Sequence, residues 1–195
     1  MSSLAPVEFA DLPPELHEAL RPRVERLGYL GDFFRYAAHQ PNALLHFHLM
    51  TESLKKALPS NIAELVALAV ASRLGNEYER NQHQRLSLKL GLGYPWVAAA
   101  CSAEPDPEQL NDRERSARRV AVALAEQRYG DSQRELETLL ELTDPATAVG
   151  VLLLTGRFLA HAAFSLTLGF QAPVPEVTQA DDPVAPQTSR SEERV

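Results

Sequence analysis

From Thr147 to Phe170 the chain is apolar on nearly every face, with Arg157 and His161 as polar exceptions in its middle. A helix that is hydrophobic all round has to be buried, in a protein core or in lipid. Two ionisable groups at mid-stretch argue against lipid, where each is costly to hold. The segment is therefore expected as a buried helix, opened by the cap-and-proline pair Asp144-Pro145 and running to Gly169. A small domain has too little interior to cover such a helix on every side, so further copies of the chain are expected to cover the remainder.

No segment alternates apolar and polar residues over strand length, and the expected fold class is all-α, with about eight helices. Leu12-Pro13-Pro14-Glu15 starts a helix that Gly28 closes. A short helix from Phe33 stops at Gln40, before Pro41, and another spans Asn42 to Leu58. Ser60 caps a strongly apolar helix, which Gly75-Asn76 interrupts before a second helix ending at Gly91. A short Ala-rich helix follows Pro95. Asp112 caps one reaching about Tyr129, with Gly130 as its stop, and Gln133 to Leu142 forms another. The expected organisation is an irregular N-terminal arm over 1–11, one helical domain over 12–172, and a disordered tail over 173–195. Pro, Asp, Glu, Ser and Gln dominate that tail, without apolar anchors.

With 45% hydrophobic and 23% charged residues the chain has the composition of a globular protein. A net charge of −7 argues against nucleic acid or an anionic membrane surface as partner. The first residues show no basic stretch followed by an apolar run, and a lone cysteine suits a reducing compartment, so a cytoplasmic location is expected. Cys101 lies in the small apolar run Trp96-Val97-Ala98-Ala99-Ala100-Cys101, where burial makes a thiol inert. Four arginines at 113, 115, 118 and 119 are diluted by Asp112 and Glu114 and are expected on a solvated helix face.

The stretch with most chemistry runs from Glu64 through Gly75-Asn76 to Glu77-Tyr78-Glu79 and His83. Asn76, Glu79 and His83 are three and four residues apart and share a helix face. A carboxylate one turn before a histidine can orient its ring and fix its tautomer. Glu64, on the preceding helix, can approach the same imidazole. Such a set can shuttle protons on a small carbonyl compound without a cofactor. Equally, Glu79 and His83 can be a buried polar pair that locks two helices together. Glu64, Glu79 and His83 also have the elements of a three-ligand metal site, but Glu-x-x-x-His pairs are frequent in helices and no metal is expected.

This arrangement resembles the core motif of the carboxymuconolactone decarboxylase / alkyl hydroperoxidase D (AhpD-like) superfamily. There, a helix beginning with Glu is followed, after a break, by Cys-x-x-Cys-x-x-x-His and a closing Gly. The segment Phe34 to Pro41 and the long last helix extend the likeness from about Leu27 to Phe170. The resemblance implies that Glu64 and His83 are the proton-relay residues. It places Asn76 and Glu79 where the two cysteines stand, and Tyr78 just before the second. Thiol peroxidase chemistry needs a thiolate and a resolving thiol, so that activity is not expected. The pattern is similar to the branch without Cys-x-x-Cys, to which the decarboxylase belongs. A cofactor-independent acid–base enzyme of the lyase or isomerase type is implied, acting on a small organic acid, lactone or related carbonyl. Its catalytic residues would be Glu64, Glu79 and His83, and its substrate-binding residues Asn76 and Tyr78. The resemblance further implies a homo-oligomer, trimer or hexamer. A non-catalytic oligomeric protein that binds a ligand or partner in the same pocket is the alternative.

Overall fold

A computed structural model describes residues 4–183, which contain nine α-helices, two short 3-10 turns and no strand. The helices are α1 (Pro14–Leu27), α2 (Asp32–Ala37), α3 (Pro41–Ala57), α4 (Ser60–Arg73), α5 (Glu77–Lys89), α6 (Gly93–Cys101), α7 (Asp112–Ala125), α8 (Tyr129–Leu142) and α9 (Pro145–Thr167). Helix α4 is the axis of the bundle. Every residue from Ile62 to Ala71 is buried, as an all-round apolar helix requires, and α5, α6, α7 and α9 pack around it. Gly75 adopts φ +66°, the left-handed conformation that glycine takes without strain, and turns the chain from α4 back along α5.

A second, aromatic-rich cluster joins α1, α2 and α3 through Leu16, Leu20, Phe33, Phe34, Leu44 and Leu45. Phe33 is stacked on His161 of α9 with ring centroids 4.0 Å apart, tying this cluster to the rest of the molecule. The start of α7 is fixed by a capping box, in which Asn111 and Glu114 exchange side chain and backbone bonds at 3.1 and 2.9 Å. The same buried Glu114 accepts the Trp96 indole N–H at 3.0 Å and the Asn61 amide at 2.8 Å, so one carboxylate joins α4, α6 and α7.

Helix α9 runs as expected from its Asp144 cap, whose carboxylate accepts from the Thr147 N–H at 2.9 Å. By length and composition it is the one described helix that meets the requirement for crossing a membrane, but half of that stretch is buried within the protein. Arg157 and His161 are buried there as well.

Three expectations need correction. Helix α8 starts at Tyr129, with Gly130 in its first turn, because Gln127 takes the left-handed conformation (φ 59°) that reverses the chain. Arg118 is buried rather than solvated, and its guanidinium donates to the carbonyls of Ala100 at 3.3 Å and Glu104 at 2.9 Å, closing the end of α6. Residues 173–183, expected to be disordered, lie along α5 and α6. The Asn81 amide donates to the Val174 carbonyl at 3.0 Å and Arg85 to that of Pro175 at 3.1 Å. Gln84 accepts the Val177 N–H at 3.3 Å, and Asp182 accepts the Tyr94 N–H at 2.8 Å in the first turn of α6. Residues 184–195, the remainder of that expectation, lie outside the described residues.

Candidate active site

The α4–α5 hairpin brings Glu64 and His83 together. His83 Nδ1 and Glu64 Oε2 are 2.7 Å apart, with the carboxylate almost fully buried and the imidazole 13% exposed. A carboxylate can only accept, so Nδ1 carries the hydrogen and the lone pair of the neutral ring lies on Nε2. Nε2 makes no hydrogen bond among the described residues, and His83 lines a cavity of about 190 Å³. Phe158 of α9 flanks the imidazole edge-to-face, with centroids 5.2 Å apart. Glu64 sits behind the histidine, outside the cavity lining. An imidazole base held in one tautomer by a buried carboxylate, on a residue that lines a cavity, is equipped to take and return a proton.

Glu79 is one turn from His83 on α5 but does not hold its ring. Its Oε2 accepts from Arg157 Nη1 at 3.0 Å, and its Oε1 faces His161 Nε2 at 3.1 Å. All three side chains are buried. Burial pushes the Glu79 carboxyl up, but His161 and the Arg157 guanidinium more than offset this and hold it at about 2. Burial takes His161 down to about 3 against the pull of Glu79, so the ring is neutral at pH 7 and donates Nε2–H. Glu79 is therefore committed as an anion to its partners and is poorly placed to act as a proton relay. Of the three side chains expected to converge, Glu64 and His83 are in direct contact, and Glu79 lines the cavity beside His83 but is bonded to Arg157 and His161.

Asn76 and Tyr78 are both buried and neither lines the His83 cavity. Asn76 occupies the cap position of α5. Tyr78 packs its ring near His161 and Phe170, and burial raises its phenol to about 12. The assignment of these two residues to substrate binding is not supported by their positions. The side chains that do line the cavity with His83 come mainly from α1, α3, α5 and α9, and include Arg23, Lys55 and Arg157. Arg157 and His161 carried a legible signal, since two polar residues one turn apart on an apolar helix share a face. Arg23, among the charges of α1, carried none.

Cys101 lies elsewhere, against Gln84 and Val177, and burial raises its thiol. No group of three or more His, Cys, Asp or Glu side chains among the described residues is arranged to hold a metal ion.

Neither a known family nor a curated protein matches the chain by sequence. Solved structures do match its fold. An alkylhydroperoxidase AhpD core, described as an uncharacterized peroxidase-related protein from Ralstonia eutropha JMP134, superposes with a TM-score of 0.74, covering 87% of this chain and 91% of that one at 17% identity. The chain has the AhpD-like fold. The debrominase Bmp8 in complex with 2,3,4-tribromopyrrole gives the same TM-score of 0.74 at 16% identity, covering 88% of this chain and 91% of that one. Apo Bmp8 follows at a TM-score of 0.69 and 15% identity, covering 88% and 92%. On this AhpD-like scaffold the hairpin α4–α5 carries the hydrogen-bonded Glu64–His83 pair.

Proposed function

We propose that the protein is a cofactor-independent acid–base enzyme, similar to the decarboxylase branch of the superfamily, acting on a small organic acid, lactone or related carbonyl compound. The observation that carries this reading is the Glu64–His83 contact of 2.7 Å, made through Nδ1 of a histidine that lines a cavity. His83 Nε2 removes a proton from the carbon next to a carbonyl, the electron pair moves into the carbonyl as an enolate, and Glu64 stabilises the resulting imidazolium. Returning the proton to a different carbon isomerises the substrate. Where a carboxylate sits β to the carbonyl, loss of carbon dioxide forms the same enolate, and an imidazolium protonates it. The tribromopyrrole bound to Bmp8 supports the reading that this fold accommodates small ring compounds. Self-association belongs to the proposal, through the uncovered face of α9.

The test uses proton exchange, which does not require the natural substrate. A panel of keto acids and lactones is incubated in deuterium oxide with the wild type, His83→Gln and Glu64→Gln, and loss of C–H signal is followed by NMR. At least one compound should exchange with the wild type, with a loss of about 100-fold or more in His83→Gln, in line with general base catalysis. Exchange that is equal in wild type and His83→Gln overturns the proposal. A panel that binds without exchange indicates the non-catalytic binding protein instead.

A further inference from the structure

We infer that the cavity beside His83 contains a subsite for a compact, doubly charged oxyanion, clamped by Arg157 and Arg23 with Lys55 beside them. The inference rests on the acid–base reading only for which part of the ligand faces His83; the binding itself does not depend on catalysis.

The chain carries an excess of acidic residues, 26 against 19 Lys and Arg, yet the cavity lining reverses that balance. Arg23, Arg26, Lys55, Arg85, Lys89 and Arg157 all line it, against one carboxylate, Glu79. That carboxylate is already bonded to Arg157 and His161. A net anionic protein that concentrates cations around one concavity lacks the counter-charge there, and a bound anion supplies it.

The two arginines are held for this purpose by contacts that leave donors unused. Arg157 is 6% exposed, and its Nε donates to Thr51 at 3.3 Å and its Nη1 to Glu79 at 3.0 Å. Its remaining terminal nitrogen, Nη2, has no partner among the described residues. The guanidinium lies 4.4 Å from the Phe158 ring centroid, and that ring also contacts His83, so Arg157 and the candidate base flank one aromatic wall. Arg23 stacks its guanidinium 4.4 Å over Phe34 and makes no hydrogen bond or ion pair among the described residues, with its buried Nε unsatisfied. Burial, and then the charge of Arg157, pull the Arg23 guanidinium below its ordinary value. Lys55 feels both arginines and has one carboxylate partner, Glu52, at 3.6 Å. Two guanidiniums that repel one another while retaining free donors match two negative charges better than one, and planar guanidinium suits both carboxylate and phosphate oxygens.

Titration of the full chain with malonate, succinate, inorganic phosphate and acetate, read by calorimetry and by thermal shift, tests this. At least one dianion should bind about tenfold or more tightly than acetate, and Arg23→Gln and Lys55→Gln should each weaken it by about tenfold, as for loss of a charge-assisted contact. Arg23→Lys should retain part of the affinity. Preference for the dicarboxylates identifies a carboxylate ligand, and preference for phosphate a phosphoryl one. Melting of each unliganded variant shows whether it is folded. Failed exchange by the wild type together with intact dianion binding overturns the catalytic reading alone. Absence of dianion binding, equal affinity for acetate, or wild-type affinity in both Arg23→Gln and Lys55→Gln overturns the subsite.

Discussion

Two carboxylates one helix apart have opposite fates in this protein, and the difference lies in what α9 places next to each. Glu64 meets His83 alone, whereas Glu79 meets Arg157 and His161. The Glu79–His161 pair makes stability depend on acid. Glu79 is held at about 2 in the fold, below the ordinary 4.5, and contributes stability that is lost as pH falls from about 4.5 toward 2. His161 is held at about 3 against 6.5, so the unfolded chain takes up its proton first, and stability falls from pH 6.5 downward. Both signs agree: the unfolded state binds more protons across this window. Urea midpoints should therefore fall steadily between pH 7 and 4, and His161→Gln should flatten the upper part of that fall. A midpoint that is constant from pH 7 to 4 contradicts the assigned protonation states. The pairing of Glu64 with His83 was legible at this scale because short hairpins bring such positions together. The capture of Glu79 was not, because spacing along α5 gives no information on what α9 brings to it.

Helix α9 supplies one side of the core and also the cation that fixes α5. Removing one member of a buried ion pair leaves the other charge unpartnered, which costs about 3–5 kcal/mol. Arg157→Met should therefore destabilise the protein by about that amount, measured by urea unfolding. Glu79→Leu combined with Arg157→Met should recover most of the loss, since an apolar pair replaces a satisfied ionic one at little cost. Losses that simply add in the double variant contradict direct coupling. Helix boundaries were legible at Gly75 and at Asp144-Pro145, where a glycine and a cap-and-proline pair mark them. They were missed where Gln127 reverses the chain, because a left-handed glutamine has no signature in sequence. Composition likewise misread 173–183, whose attachment combines polar side chains of α5 bonding to its backbone with the single apolar anchor Val177, buried in the main core.

For the molecule as a whole, the apolar character of α9 exceeds what one copy covers. Val149, Leu153 and Leu166 are 52%, 49% and 47% exposed, and Gly156, Ala160 and Ala163 are exposed between them. Val149, Leu153, Gly156, Ala160 and Ala163 recur at alternating intervals of four and three residues, the seam spacing of helices that pack along their length. The small residues allow close approach. The proposed oligomer should appear in light scattering as a multiple of the 21.5 kDa chain, and Leu153→Glu should shift it toward monomer. A wild type that is monomeric at micromolar concentration removes this proposal. The same seam was legible in sequence as an excess of apolar surface, though which face stays uncovered was fixed only by the positions of α3, α4, α7 and α8 around it.

The segment following α9 has a consequence for anyone shortening this chain. Val174 is part of the wall around His83, Glu176 and Val177 border Cys101, and Asp182 closes the start of α6. A chain cut ahead of Pro173 would keep all nine described α-helices. It would nevertheless lose a wall of the cavity, admit water to His83 from a new side, and leave Asn81 and Gln84 without the backbone groups they now engage. Such a fragment can look intact by circular dichroism and still report falsely on the chemistry of the whole.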